Sequence, residues 1–173
     1  MKLAKYLSAS ALTLMMGTAS VNVLADVDVE DFVENASELN IAEIEAAKLA
    51  LEKSSSATVK SFAQKMINDH TAANRELRSI ASAKKVELED DAALTDQAKA
   101  AILKQRDGES FDEAYANNQV AAHRKAIDFY QKASKSEDAE VRAFAVATLP
   151  KLQHHLTEAQ ALAKAVGASS AND

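Results

Sequence analysis

Four side chains of this sequence are capable of holding a metal ion or a buried proton network, and all four fall where apolar residues are expected. In "ELNIAEIEAAKLALE", each residue turns a helical wheel by roughly 100°, so Phe32, Ala36, Leu39, Ala46, Ala47 and Ala50 share one side, with Glu43 near its centre. Glu45 points the other way, with Glu34, Glu38 and Glu52. The same construction puts His70 among Val59, Phe62, Met66, Ala73, Leu77 and Ile80. It puts His123 among Tyr115, Ala122, Ala126, Phe129, Tyr130 and Ala133, one turn after Gln119. His155 joins Val141, Phe144, Leu152, Ala159 and Leu162, whereas its neighbour His154 faces outward, where Glu158 stands one turn on.

Two chemistries follow from such a set. A carboxylate paired with histidines makes a buried polar network that fixes helix register, because an unpartnered buried charge is costly. The same groups around an ion make a mononuclear site of three histidines and one glutamate. Neutral imidazoles suit one divalent transition metal, zinc, iron or copper. The first reading is the structural network, and the metal site is its alternative. Asn40, Asp69, Asn74, Gln119 and Thr148 are candidates to support such a site, and equally candidates for the flanks of their helices. No Ser-His-Asp context, phosphate-binding glycine loop or nucleophile elbow is present, so the reading is non-catalytic.

The elements that must carry these groups are long helices. Past residue 25 the chain has two glycines, Gly108 and Gly167, and one proline, Pro150. Ala, Leu, Glu, Lys and Gln dominate, a composition that is helical nearly throughout. Amphipathic segments run over about 28–53, 57–84, 111–135 and 138–166. Ser56, Ser110 (with Glu113 three residues on) and Ser136 are the expected N-caps of the second, third and fourth. Short connections make two antiparallel hairpins. The roughly 25 residues between them form a long crossover, in which "TDQAKAAILKQR" adds a short helix. The expected fold is all-α, a ferritin-like four-helix bundle with one long crossover between helices 2 and 3. With that connection, Glu43, His70, His123 and His155 come within about two turns of one another along the axis. Pro150 lies on the polar side, where a local bend leaves the packing face continuous. "VKSFA" at Val59 recurs as "VRAFA" at Val141, either as a trace of a duplicated hairpin or because those spacings make a good core stripe.

The first 25 residues have Lys2 and Lys5, an apolar run through Met16, and small residues before Asp26. They read as a secretory signal peptide cut after Ala25, with the periplasm as the destination. The leader carries two of the 20 basic residues and none of the 26 acidic ones, so the mature 148 residues have net charge −8. That excludes nucleic acid and anionic lipid as natural partners. No later segment is apolar enough to span a bilayer. Absence of cysteine removes disulfides and thiolate metal sites. The domain is expected over 26–166, with a flexible tail at 167–173, and homodimerisation or docking through the acidic outer faces stays open.

The phrases "FVENASELNIAEIEAAKLALEKS", "VKSFAQKMINDHTAAN", "FDEAYANNQVAAHRKAIDFYQKAS" and "VRAFAVATLPKLQHHL" together resemble the exported bacterial family Domain of Unknown Function 4142, which often carries an outer-membrane label. The resemblance covers about residues 28–163. It implies a ferritin-like bundle without an established activity, and it implies that Glu43, His70, His123 and His155 are motif positions. Ferritin-like di-iron proteins carry Glu-x-x-His on two helices. Here Ile67, Val120 and Leu152 stand three residues before the histidines, so a di-iron centre is not expected.

Overall fold

The computed structural model describes residues 27–88 and 94–168. The expected leader and residues 169–173 of the expected tail lie outside them. The element order is α1 (Val29–Lys53), α2 (Ala57–Lys84), α3 (Leu94–Lys104), α4 (Gly108–Ala133) and α5 (Ala139–Ala165), with no strand among the described residues. α1 packs on α2 and α4 on α5, and the two hairpins meet along α1 with α4 and α2 with α5. Phe62 near the start of α2 meets Tyr115 near the start of α4, and His70 meets His123 half-way along both. The helices on either side of the crossover are therefore parallel, as the long connection requires. This is the expected ferritin-like four-helix bundle, with α3 as the short helix of the crossover.

Local chemistry accounts for the helix ends. Asp28 caps α1, its carboxylate accepting from the amides of Glu30 at 2.9 Å and Asp31 at 3.1 Å. Ser56 caps α2 as expected, accepting from Val59 N–H. Two expected caps are corrected. α4 begins at Gly108, which adopts a φ of +57°, a turn into the helix that favours glycine. The N-cap position there is Asp107, and Ser110 is already inside the helix. α5 is capped by Asp138, whose carboxylate accepts from Glu140 and Val141 N–H at 3.0 and 3.1 Å. Ser136 instead accepts from the amide of Asp138 at 3.2 Å, shaping the turn that delivers the cap. α5 continues through the exposed Pro150 as one helix.

The interior is layered. One apolar cluster, including Ala47, Val59, Phe62, Met66, Phe111, Tyr115 and Leu162, fills the end nearest the α1–α2 turn. A second fills the opposite end, where Phe32 is fully buried against Phe129, Tyr130 and Phe144 at ring separations of 5.3 to 6.3 Å. Between them lies a belt of buried polar side chains: Asn40, Glu43, His70, Asn74, Gln119, His123 and His155. Packing of the two apolar ends holds this belt, since each buried Phe or Leu contributes roughly 1.5–3 kcal/mol. No helix among the described residues is long and apolar enough to cross a membrane.

Candidate metal centre

Three helices bring one imidazole each to the belt. His70 (α2), His123 (α4) and His155 (α5) are 5%, 1% and 2% exposed. Their ring centroids are 5.7, 5.6 and 5.3 Å apart, and one ring nitrogen from each lies within 4.8 Å of the others.

Each ring is held by a hydrogen bond through one of its nitrogens. His70 Nδ1–H donates to the side-chain oxygen of Asn40 at 2.8 Å, and Asn40 in turn donates to Asn74 at 3.4 Å. His123 Nδ1–H donates to the backbone carbonyl of Gln119 at 2.9 Å. His155 Nε2–H donates to the Asp69 carboxylate at 2.8 Å. An N–H committed to an acceptor leaves the opposite nitrogen with its lone pair. Those opposite nitrogens, His70 Nε2, His123 Nε2 and His155 Nδ1, are buried and have no hydrogen-bond partner among the described residues.

Electrostatics keep two of these rings neutral. Burial pushes His70 well below the usual imidazole value, and the neighbouring His123 and His155 push it further. Burial also lowers His155, against the opposing pull of Asp69, with His123 and Lys65 adding to the decrease. A neutral ring with an oriented lone pair is the form that ligates a metal.

The residues fit an ion. Bonds of about 2.0–2.1 Å to three nitrogens require nitrogen separations of about 3.3–3.6 Å, and the triad gathers one nitrogen from each ring within 4.8 Å of the others. The acceptors behind the rings, Asn40, the Gln119 carbonyl and Asp69, are the kind that orient ligating histidines and raise their basicity.

Of the four residues singled out in the sequence, the structure brings the three histidines together and sets Glu43 apart. Glu43 is buried in the same belt, yet its carboxylate accepts a 2.7 Å hydrogen bond from Gln119 Nε2 and stands outside the triad. Three members of the expected three-histidine, one-glutamate set therefore form a cluster, and Glu43 is joined to it through Gln119, whose backbone carbonyl accepts from His123. Asn40, Asp69, Asn74 and Gln119 all take the supporting positions expected of them, whereas half-buried Thr148 makes none of these bonds. His154 is on the outer face as expected, 3.2 Å from Glu158.

Tyr115 and Asp112 are among the buried polar groups that were not anticipated. Tyr115 has a buried hydroxyl without a described partner, and burial together with the charge of Glu43 raises its pKa well above the ordinary phenol. Asp112 is also buried. Its signal was available: residues 112, 116, 119 and 123 share one stripe at alternating three- and four-residue steps.

The bundle is similar to solved proteins of low sequence identity. A Streptomyces coelicolor protein of the DUF305 type, assigned as secreted, matches with TM-score 0.72 and 11% identity over 84% of this chain and 98% of its own. CopM in its Cu(II)-bound form matches with TM-score 0.68 and 14% identity over 81% of this chain and 98% of its own. At such identities the likeness is one of fold. No curated protein is a detectable sequence relative. Residues 14–162 match the family described as Domain of unknown function (DUF4142), and the chain belongs to that family.

Proposed function

We propose that this protein is an exported, non-catalytic metal-binding bundle that holds one transition-metal ion, copper before zinc, at His70, His123 and His155. One observation carries the reading: three buried imidazoles present unpartnered nitrogens to a common space while the other nitrogen of each is tied to an oriented acceptor. A purely structural network would pair those nitrogens, since an unsatisfied buried acceptor costs about 1–3 kcal/mol. Three imidazoles without a thiolate suit copper or zinc. The fold shared with CopM, a protein that has a Cu(II)-bound form, supports ranking copper first. The Glu43–Gln119 and Asn40–Asn74 bonds, which answer to the structural reading, serve here as the frame of the site.

Export rests on the leader-like residues 1–25 and accords with the likeness to a protein assigned as secreted. In a periplasmic setting such a site would bind or buffer metal.

The test is elemental analysis of untagged protein recovered from the periplasm, compared with a His70→Ala, His123→Ala double variant. One ion per chain, lost in the variant, is the expected result. No metal bound by the natural sequence after loading with Cu(II) or Zn(II) would overturn the reading. The mass of the recovered chain should correspond to a start at Asp26.

A further inference from the structure

The polar belt can be approached from several sides, and those sides differ in charge. Between α1 and α2 a groove leading to Asn74 carries Lys48, Arg75 and Arg78 against the single acid Glu45. Between α2 and α5, Lys65 lies in the groove, 2.6 Å from Glu158, and its charge reaches His155. A cation would meet ammonium or guanidinium groups on either path. The third side is a small cavity of about 30 Å³ enclosed by α1, α3 and α4, with Glu43 and Glu45 against Lys125. A space of that size admits a water-sized guest.

Two hydrogen bonds lead from the wall of this cavity to the triad. Glu43 forms part of its wall, and the Glu43 carboxylate accepts from Gln119 Nε2 at 2.7 Å. The remaining side-chain oxygen of Gln119 is fully buried and has no partner among the described residues. The backbone carbonyl of the same Gln119 takes the Nδ1–H of His123. Ala122, next to His123 in the chain, also lines the cavity.

We infer that this cavity is the route by which the ion of the proposed triad enters and leaves, with Glu43 as the carboxylate that takes it from solvent. The inference rests on the metal-binding reading above and adds to it a role for Glu43 that is not ligation. An ion shedding water needs oxygen donors along the way, and a carboxylate followed by an amide oxygen supplies them before the imidazoles do. The kinetic consequence is specific. A residue on the route, but not in the final site, changes association and release by the same factor and leaves the affinity where it was. A ligand changes the affinity, mainly through release.

The experiment uses the mature chain freed of metal, with Cu(II) as the probe. Association is followed by quenching of tyrosine fluorescence, release by transfer to excess EDTA, and Kd by competition titration. Glu43→Gln keeps an acceptor for Gln119 but removes the charge, and Ala42→Leu narrows the cavity without touching charge. Both variants are expected to slow association and release together by about tenfold, with Kd within about twofold of the parent. Lys48→Gln, in the basic groove, is expected to leave both rates unchanged. Weaker Kd with unchanged association in Glu43→Gln would make Glu43 a ligand and overturn the inference. Parental rates in Ala42→Leu, with helical content intact by circular dichroism, would overturn it, as would faster association in Lys48→Gln. If the parent chain takes up no Cu(II), the metal-binding reading itself fails, an outcome distinct from each of these.

Discussion

Asn40 on α1 accepts the Nδ1–H of His70 on α2 at 2.8 Å, so one helix of the first hairpin determines which nitrogen of the other helix's ring carries the proton. The free lone pair of His70 is thereby a property of the hairpin and not of the histidine alone.

Removing that acceptor should weaken the site without removing a ligand. Asn40→Ala is expected to lower Cu(II) affinity by about 10- to 100-fold, while Asn40→Asp, which retains an oxygen acceptor, stays much closer to the parent. Competition titration measures both. Equal affinities for Asn40→Ala and the parent would mean that ring orientation is set elsewhere.

Stability of the metal-free protein should fall as pH drops below about 6.5, the ordinary imidazole value. The folded-state values of His70 and His155 lie below the unfolded value, so over the window beneath it the unfolded chain binds more protons. Their neutral, buried form thus contributes fully above that value and is progressively lost beneath it. Urea midpoints at pH 7.5 and 5.5 should differ in the parent and differ less in His70→Leu. The same fall in both proteins would assign the effect to other groups.

Phe32→Ala should cost about 3–5 kcal/mol, because a fully buried ring packed on three other aromatic rings leaves a cavity that the bundle closes only in part. Phe32 belongs to the apolar end beyond the belt, so Cu(II) affinity at saturating fold should stay near the parent's. Chemical denaturation and titration of the same variant test the separation.

The cap assignments make a matched pair. Asp138→Ala should destabilise by about 1 kcal/mol or more through the loss of two amide partners at the start of α5 and of the Lys84 ion pair, while Ser110→Ala, inside α4, should change stability by less than about 0.5 kcal/mol. A larger loss in the second would restore Ser110 as a cap. Thermal melts of the two variants decide it.

Much of the site was legible as wheel positions. His70, His123 and His155 are buried because each has an apolar residue three or four positions away on both sides, Met66 and Ala73, Val120 and Ile127, Leu152 and Ala159, and that is a property of local sequence. The helix starts were less legible. Ser136 and Asp138 both precede an acidic helical turn, and only the backbone path chooses which oxygen meets the free amides. At Gly108 the left-handed φ starts α4 ahead of the serine that resembles a cap.

The order of residues along the chain by itself determined the helices, their apolar stripes and the interruption of those stripes by polar groups, since these depend on periodicity over a few turns. Only the tertiary structure decided which of those groups meet. That depends on the rotation and axial offset of helices joined through a long crossover, which no local pattern encodes. It drew three imidazoles together, joined Gln119 to Glu43, and supplied the proton acceptors of two rings, Asn40 for His70 and Asp69 for His155, from other helices.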